Sequence, residues 1–194
     1  MNLTIKGILL IILTVSAAFS KPTAYEAADG EAVIVITGTS SLHDWEMVLN
    51  KFDCNVAFTN EGFRMTGIDK VSFSCKAADI KSNNKIMDRK TYDALKADVS
   101  PEIKFISVKT TELVAGDKSF SGKLIGKLIA AGETREITIP FEGTFTDNRI
   151  ISVSGKTDLK MSDFNITPPT AMLGTLKTGN EISVSFSVKL QPGR

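Results

Sequence analysis

Beyond its N-terminal segment the chain alternates apolar and polar residues with a period of two almost throughout, the mark of strands with one face buried. The clearest case lies near the C-terminus. Ile182, Val184, Phe186, Val188 and Leu190 point one way, and Glu181, Ser183, Ser185, Ser187 and Lys189 the other. Residues 135–145 repeat the pattern, with Ile137, Ile139, Phe141 and Phe145 opposite Glu136, Thr138 and Glu142. Between Phe120 and Ile129 the inward set is Phe120, Gly122, Leu124, Gly126 and Leu128, which leaves Lys123 and Lys127 to water. Residues 131–134, Ala-Gly-Glu-Thr, join these two strands as a tight turn. Further strands are predicted at 32–39, 44–50, 52–59, 63–77, 102–111 and 150–161, with turns at 60–62, 114–118 and 146–148. Pro140 falls inside a strand and cannot donate to a ladder, so it predicts an edge, a bulge or a bend.

Two segments break the alternation. Residues 85–97, KIMDRKTYDALKA, predict a helix capped by Asn83 or Asn84, with Met87, Tyr92 and Leu95 as its apolar stripe and Pro101 preventing its extension. In residues 163–180 the pair Pro168-Pro169 forbids a strand, and 170–176 predict a short helical turn that stops near Gly179. The expected architecture is all-β. It is one antiparallel sheet of about eight strands, long enough to close on itself as a barrel that either fills its interior or holds one small ligand. Gly122, Gly126, Gly143 and Gly155 face that interior. They either relieve crowding where strands bend or leave space, and composition does not choose between the two.

Residues 1–20 have the three-part layout of a secretory signal: a short basic start with Lys6, the apolar run GILLIILTV, and small residues that include Ala18 and Ser20. The run is too short to span a bilayer. Cleavage is expected after Ser20, leaving residues 21–194 as one domain in the periplasm or the medium. The chain has 23 basic and 22 acidic residues, and losing Lys6 leaves 22 of each. That balance argues against a nucleic-acid partner and against tight attachment to an anionic membrane. Cys54 and Cys75 lie on apolar faces of predicted strands. In an oxidising compartment a disulfide between them is permitted, and buried free thiols fit equally well.

The stretch TSSLHDWEM, residues 39–47, holds the only histidine and the only tryptophan of the chain. On an extended strand Ser41 and His43 share a face while Asp44 points away, so no local Ser-His-Asp relay assembles. No G-x-S-x-G elbow is present, and one histidine cannot supply a site with two imidazole ligands. Asp44 and Glu46 share a face, as solvated strand carboxylates do. His43 is expected to make structural hydrogen bonds, and Trp45 to anchor a core or a rim where the first strand turns into the second.

Several stretches, in order, resemble the YceI-like family, secreted bacterial proteins of lipocalin-like barrel form that bind polyisoprenoid lipids. SLHDWEM at 41–47 resembles the family's early His/Trp corner. KIMDRKTYDALKADVSPEIKF at 85–105 resembles its helix, proline and Ile-x-Phe strand. GKLIGKLIAAGETREITIPFEG at 122–143 resembles its central hairpin, and LKMSDFNITPP at 159–169 with ISVSFSVKL at 182–190 resembles its closing segments. The chain departs from the pattern at Ala131-Gly132, where the family often has a histidine before the glycine. The resemblance implies a non-catalytic binding protein with no cofactor. Its apolar partner is an isoprenoid-type lipid, the tail of a quinone or a polyprenyl carrier, held in the barrel interior. The expected lining is Phe105, Phe120, Leu124, Leu128, Ile139, Phe141, Phe186 and Val188. The alternative is that these residues fill a solid core, making the protein a stress-response or interaction module without a ligand.

Overall fold

A computed structural model describes residues 21–61, 63–146, 149–171 and 174–193. The proposed signal segment 1–20 lies outside the described residues, as do Gly62, Asp147 and Asn148 of two expected turns. The strands run β1 Thr23–Ser40, β2 Trp45–Leu49, β3 Asp53–Glu61, β4 Arg64–Lys76, β5 Glu102–Ala115, β6 Ser119–Ala130, β7 Glu133–Phe145, β8 Ile151–Lys160, β9 Thr170–Ala171 and β10 Leu176–Pro192, with one helix, α1 Lys85–Ala94, between β4 and β5. Their order in the sheet is β2-β1-β3-β4-β5-β6-β7-β8-β10-β9, and a β1–β10 pairing closes it.

The closure gives eight staves. β2 and β3 both pair antiparallel with β1, β2 beside Ile34–Gly38 and β3 beside Thr23–Glu26, so the two form one stave interrupted at residues 50–52. The seam between the first and last long strands extends from Tyr25↔Pro192 to Ser40↔Thr178. The fold is thus a closed antiparallel barrel with one helix, as the alternation predicted.

β1 begins well before the predicted residue 32. Residues 23–31, TAYEAADGE, carry too few apolar side chains to alternate, and the ladder slips between Ala27 and Ala32 around Gly30. The helix ends at Ala94 rather than at 97. Lys96 takes a positive φ of 54° and its carbonyl accepts the Ser100 N–H at 2.7 Å, which turns the chain before Pro101. Within residues 170–176 Gly174 is in a 3-10 turn, as expected, but the ends are strands: Leu176↔Ala171 and Lys177↔Thr170 pair as β10 and β9, with Met172 and Leu173 outside the described residues. Further 3-10 turns lie at Ala77–Asp79 and Met161–Phe164.

Pro140 marks the point where two strands part. β7 pairs with β6 on both sides of it, but the β7–β8 ladder starts only at Phe141↔Gly155. Beyond it a Thr157 hydroxyl donates to the Thr138 carbonyl at 3.1 Å. The missing N–H therefore sits where the ladder ends. At the β6–β7 hairpin, Ala130↔Glu133 leaves a two-residue loop with Ala131 at φ 52° and Gly132 at φ 82°, the pair of positive angles that a tight hairpin requires.

One end of the barrel is filled by rings. Tyr25 and Phe58 meet edge-on at 5.4 Å, Phe58 and Phe120 at 6.1 Å, and Phe120 and Phe145 at 5.6 Å. The other end carries β2, α1, the β6–β7 hairpin and the 161–178 segment.

Candidate functional site

Above the floor of rings the barrel is hollow. A cavity of about 510 Å3 extends from Phe58, Phe120 and Leu190 at the bottom to Leu42 and Ile86 at the opposite end, where those two side chains are 67 % and 64 % exposed. The cavity therefore opens at the end that carries α1. Its volume is in the range of small-molecule sites. The interior is not solid, because the aromatic rings pack densely at only one end.

All eight residues of the expected lining, Phe105, Phe120, Leu124, Leu128, Ile139, Phe141, Phe186 and Val188, border this cavity. They come from β5, β6, β7 and β10, and the period-two rule turns each to the same side. The opposite wall escaped the sequence reading. Ile34 and Ile36 of β1, Met47 and Leu49 of β2, and Ile80 all line it. Residues 33–36 read Val-Ile-Val-Ile, so both faces of that strand are apolar and periodicity alone does not show which is inward. Phe164 and Ile166 also border it from the turn after β8, where no strand period exists to place them.

The inward glycines do not supply the space. A Cβ on Gly122 would lie 2.9 Å from the Phe141 ring, and one on Gly143 would enter the Phe120 ring. On Gly126 it would press into the Phe105 ring and lie 2.6 Å from the Ile106 carbonyl oxygen, and on Gly155 it would meet Phe186. Each glycine leaves room for an aromatic ring of the adjacent strand, and Gly155 also for the Pro140 carbonyl oxygen. Of the two sequence readings, the relief of crowding is the one realised, and its cause is a ring rather than a bend. Gly38 repeats the device under Trp45.

Cys54 and Cys75 are free thiols that line the same cavity, from β3 and β4. Burial raises the Cys54 pKa to about 11. Burial, then the neighbouring Asp79 charge, raises that of Cys75 to about 12. Both are held protonated at neutral pH, which makes them poor nucleophiles.

The rim is built from three segments tied together by hydrogen bonds. The corner at 40–44 is held by the Ser40 hydroxyl, which donates to the His43 carbonyl at 2.6 Å and accepts the Leu42 and His43 N–H groups. His43 Nδ1 lies 2.6 Å from the Asp44 carbonyl oxygen, which only accepts, so Nδ1 carries the hydrogen. Asp44 thus meets the imidazole through its backbone and not through its carboxylate. Trp45 donates Nε1–H to the Thr39 carbonyl at 3.0 Å. Helix α1 starts at Asn84, whose side chain accepts the Ile86 and Met87 N–H groups at 2.9 and 3.2 Å. The helix is fastened by Thr91 Oγ1 donating to Met47 Sδ, Tyr92 OH donating to the Ile80 carbonyl and Lys90 Nζ donating to the Thr170 carbonyl at 2.6 Å. The β9–β10 hairpin is joined to the corner by Ser41 N–H to the Lys177 carbonyl and Lys177 N–H to Ser41 Oγ.

Residues 25–190 match the model of the YceI-like domain. The chain belongs to the YceI-like family. No curated protein matches the sequence. Among solved structures, the fold of this YceI-like barrel is similar to Burkholderia cenocepacia BcnA, at a TM-score of 0.67 and 16 % identity over 84 % of this chain and 98 % of that one. It is similar to a polyisoprenoid binding domain from Saccharophagus degradans implicated in plant cell wall breakdown, at a TM-score of 0.68 and 10 % identity over 88 % and 99 %. A YceI protein of Campylobacter jejuni matches at a TM-score of 0.61 and 19 % identity over 76 % and 84 %. At these identities the structures share the fold. For the YceI-like barrel described here, the site rests on its own cavity, rim and lining.

Proposed function

We propose that this protein is a non-catalytic carrier that binds an isoprenoid-type lipid, the tail of a quinone or a polyprenyl compound, inside its barrel and acts in the periplasm or outside the cell. The observation that carries the reading is the cavity of about 510 Å3, walled by aliphatic and aromatic side chains from floor to rim. Such a cavity holds a ligand by taking its surface out of water, a stabilisation of about 25 cal/mol per Å2 of apolar area. The fold shared with a polyisoprenoid binding domain supports a tail of linked isoprene units. The relay candidates of the 39–47 stretch are occupied in holding the corner: Ser41 Oγ accepts the Lys177 N–H and His43 Nδ1 bonds to the Asp44 carbonyl. Export rests on the layout of residues 1–20.

Native mass spectrometry of the protein recovered from the extracytoplasmic fraction of its own host tests both parts. The expected spectrum shows a polypeptide beginning at Lys21 with the added mass of a lipid. A chain that retains residues 1–20 would overturn the export reading. A bare chain that also takes up no geranylgeraniol in solution would overturn the lipid reading.

A further inference from the structure

The lining of the cavity includes Lys90, Lys160 and Lys177 but no aspartate or glutamate among the described residues. Elsewhere on the barrel, lysines meet carboxylates. Lys104 Nζ lies 2.6 Å from Glu102, Lys123 lies 2.8 Å from Glu112, and Lys189 pairs with Glu31. None of the three rim lysines takes part in an ion pair among the described residues. Lys160 stands directly across the β8–β10 ladder from Glu181 and still makes no bridge to it.

Two of the three are brought to one spot from distant parts of the chain. Lys90 reaches from α1 to the Thr170 carbonyl, which uses one of its three ammonium hydrogens. Lys177 is the ladder partner of Thr170. The two residues therefore both adjoin Thr170 at the opening. On α1, Ile86 precedes Lys90 by one helical turn, so the exposed apolar side chain and the ammonium lie on one face. From bottom to top the polarity runs through aromatic floor, aliphatic wall and cationic rim. Like charges gathered at one opening repel one another, and an anion placed between them relieves that repulsion. A neutral quinone ring offers no such relief.

We propose that the cavity selects an anionic amphiphile, a long apolar tail that ends in a phosphate, diphosphate or carboxylate, with Lys90 and Lys177 holding its head at the rim. This inference rests on the lipid-binding reading and narrows it. A Lys ammonium meets a phosphate as a point charge without demanding a fixed bidentate geometry, which suits heads of more than one shape.

The test compares geranylgeranyl phosphate with geranylgeraniol, which share a tail and differ only in the head. Trp45, the single tryptophan and part of the cavity lining, reports binding through its emission. At low salt the phosphate is expected to bind roughly fivefold or more tighter than the alcohol, an advantage that shrinks as salt is raised. In the Lys90→Gln, Lys177→Gln double variant, which also loses the Lys90–Thr170 tie, the two probes are expected to bind equally, and a circular dichroism spectrum like that of the wild type shows that the variant is folded. Inorganic phosphate alone is expected to leave the emission unchanged. Equal affinity of the two probes in the wild type overturns this proposal and leaves the lipid reading standing, as does a preference that survives in the double variant. Saturation by inorganic phosphate at similar concentrations overturns it in favour of a free-anion site. Binding of neither amphiphile overturns both.

Discussion

At Gly126 the backbone of β6 runs directly beneath the Phe105 ring of β5, and an added methyl group would lie 2.6 Å from the Ile106 carbonyl oxygen. The ring is buried and the carbonyl belongs to the sheet, so neither yields easily. Gly126→Ala is expected to cost about 1–3 kcal/mol through overpacking, which thermal unfolding reads as a fall of roughly 2–12 °C. Gly67→Ala is the matched control. There the nearest atom, Thr59 Cβ, is at 3.7 Å, an ordinary contact, so the same change should leave stability equal or raise it by about 0.5–1 kcal/mol. The two cavity thiols make a second prediction at this scale. Their folded pKa values, about 11 for Cys54 and about 12 for Cys75, exceed the ordinary value of 9.0. At a pH between the ordinary and folded values the unfolded chain has lost protons that the folded chain keeps, so stability falls as pH rises. The stability these thiols contribute is complete below about pH 9 and is lost as pH rises toward 12. Denaturant unfolding across that window should slope less steeply in Cys54→Ala, Cys75→Ala than in the wild type. Equal slopes would count against burial as the cause.

Helix α1 has ten residues, too few to be stable alone in water, and no residue of it is fully buried. It persists because it is capped at Asn84 and fastened through Lys90, Thr91 and Tyr92 to three different parts of the barrel. Asp88 adds a further tie by accepting both the N–H and the hydroxyl hydrogen of Ser82 at 2.7 Å. Asn84→Ala removes the acceptor for two N–H groups and should cost about 1 kcal/mol. Because α1 borders the opening, that loss is expected to appear as faster hydrogen exchange at residues 85–94 with little change in the strands. Uniform acceleration across β5–β7 would instead mean that the helix and barrel open as one unit. Pro140 acts at the same scale. It ends the β7–β8 ladder, and above it the staves are joined through the Thr157 hydroxyl instead.

Across the whole molecule, the filled and hollow ends divide the work. Rings from β1, β3, β6 and β7 pack the closed end, and the long β1–β10 seam holds the cylinder shut there and above. The hollow end gives up the packing contacts that a filled core would make, and a bound tail restores them. A ligand that binds only the folded chain stabilises it by about 2.7 kcal/mol at a hundredfold excess over its Kd. Protein stripped of lipid by organic extraction and refolded should therefore melt roughly 5–11 °C lower than the loaded form and recover on adding geranylgeraniol. An unchanged melting temperature would show that the cavity gains nothing from occupancy.

Much of this was legible along the chain. Alternation placed seven of the eight predicted lining residues on inward faces, Phe105 coming from the family resemblance; Asn84 was one of two candidate caps, and the strand defect at Pro140 was visible as a proline. These are local signals, carried by the period of a single strand or the chemistry of a single helix end. Other features belong to no single segment. The face of Val33–Ile36 was decided by which neighbours covered it, since both faces are apolar. The meaning of Gly122, Gly126, Gly143 and Gly155 depended on rings set opposite them across the sheet, and a register one residue different would have removed every such match. The cavity is the difference between the circumference of eight staves and the summed volume of the side chains they turn inward, which no window of the sequence contains. The rim lysines at 90 and 177 are neighbours only because α1 and the β9–β10 hairpin fold over the same opening, and that juxtaposition is a property of the closed barrel alone.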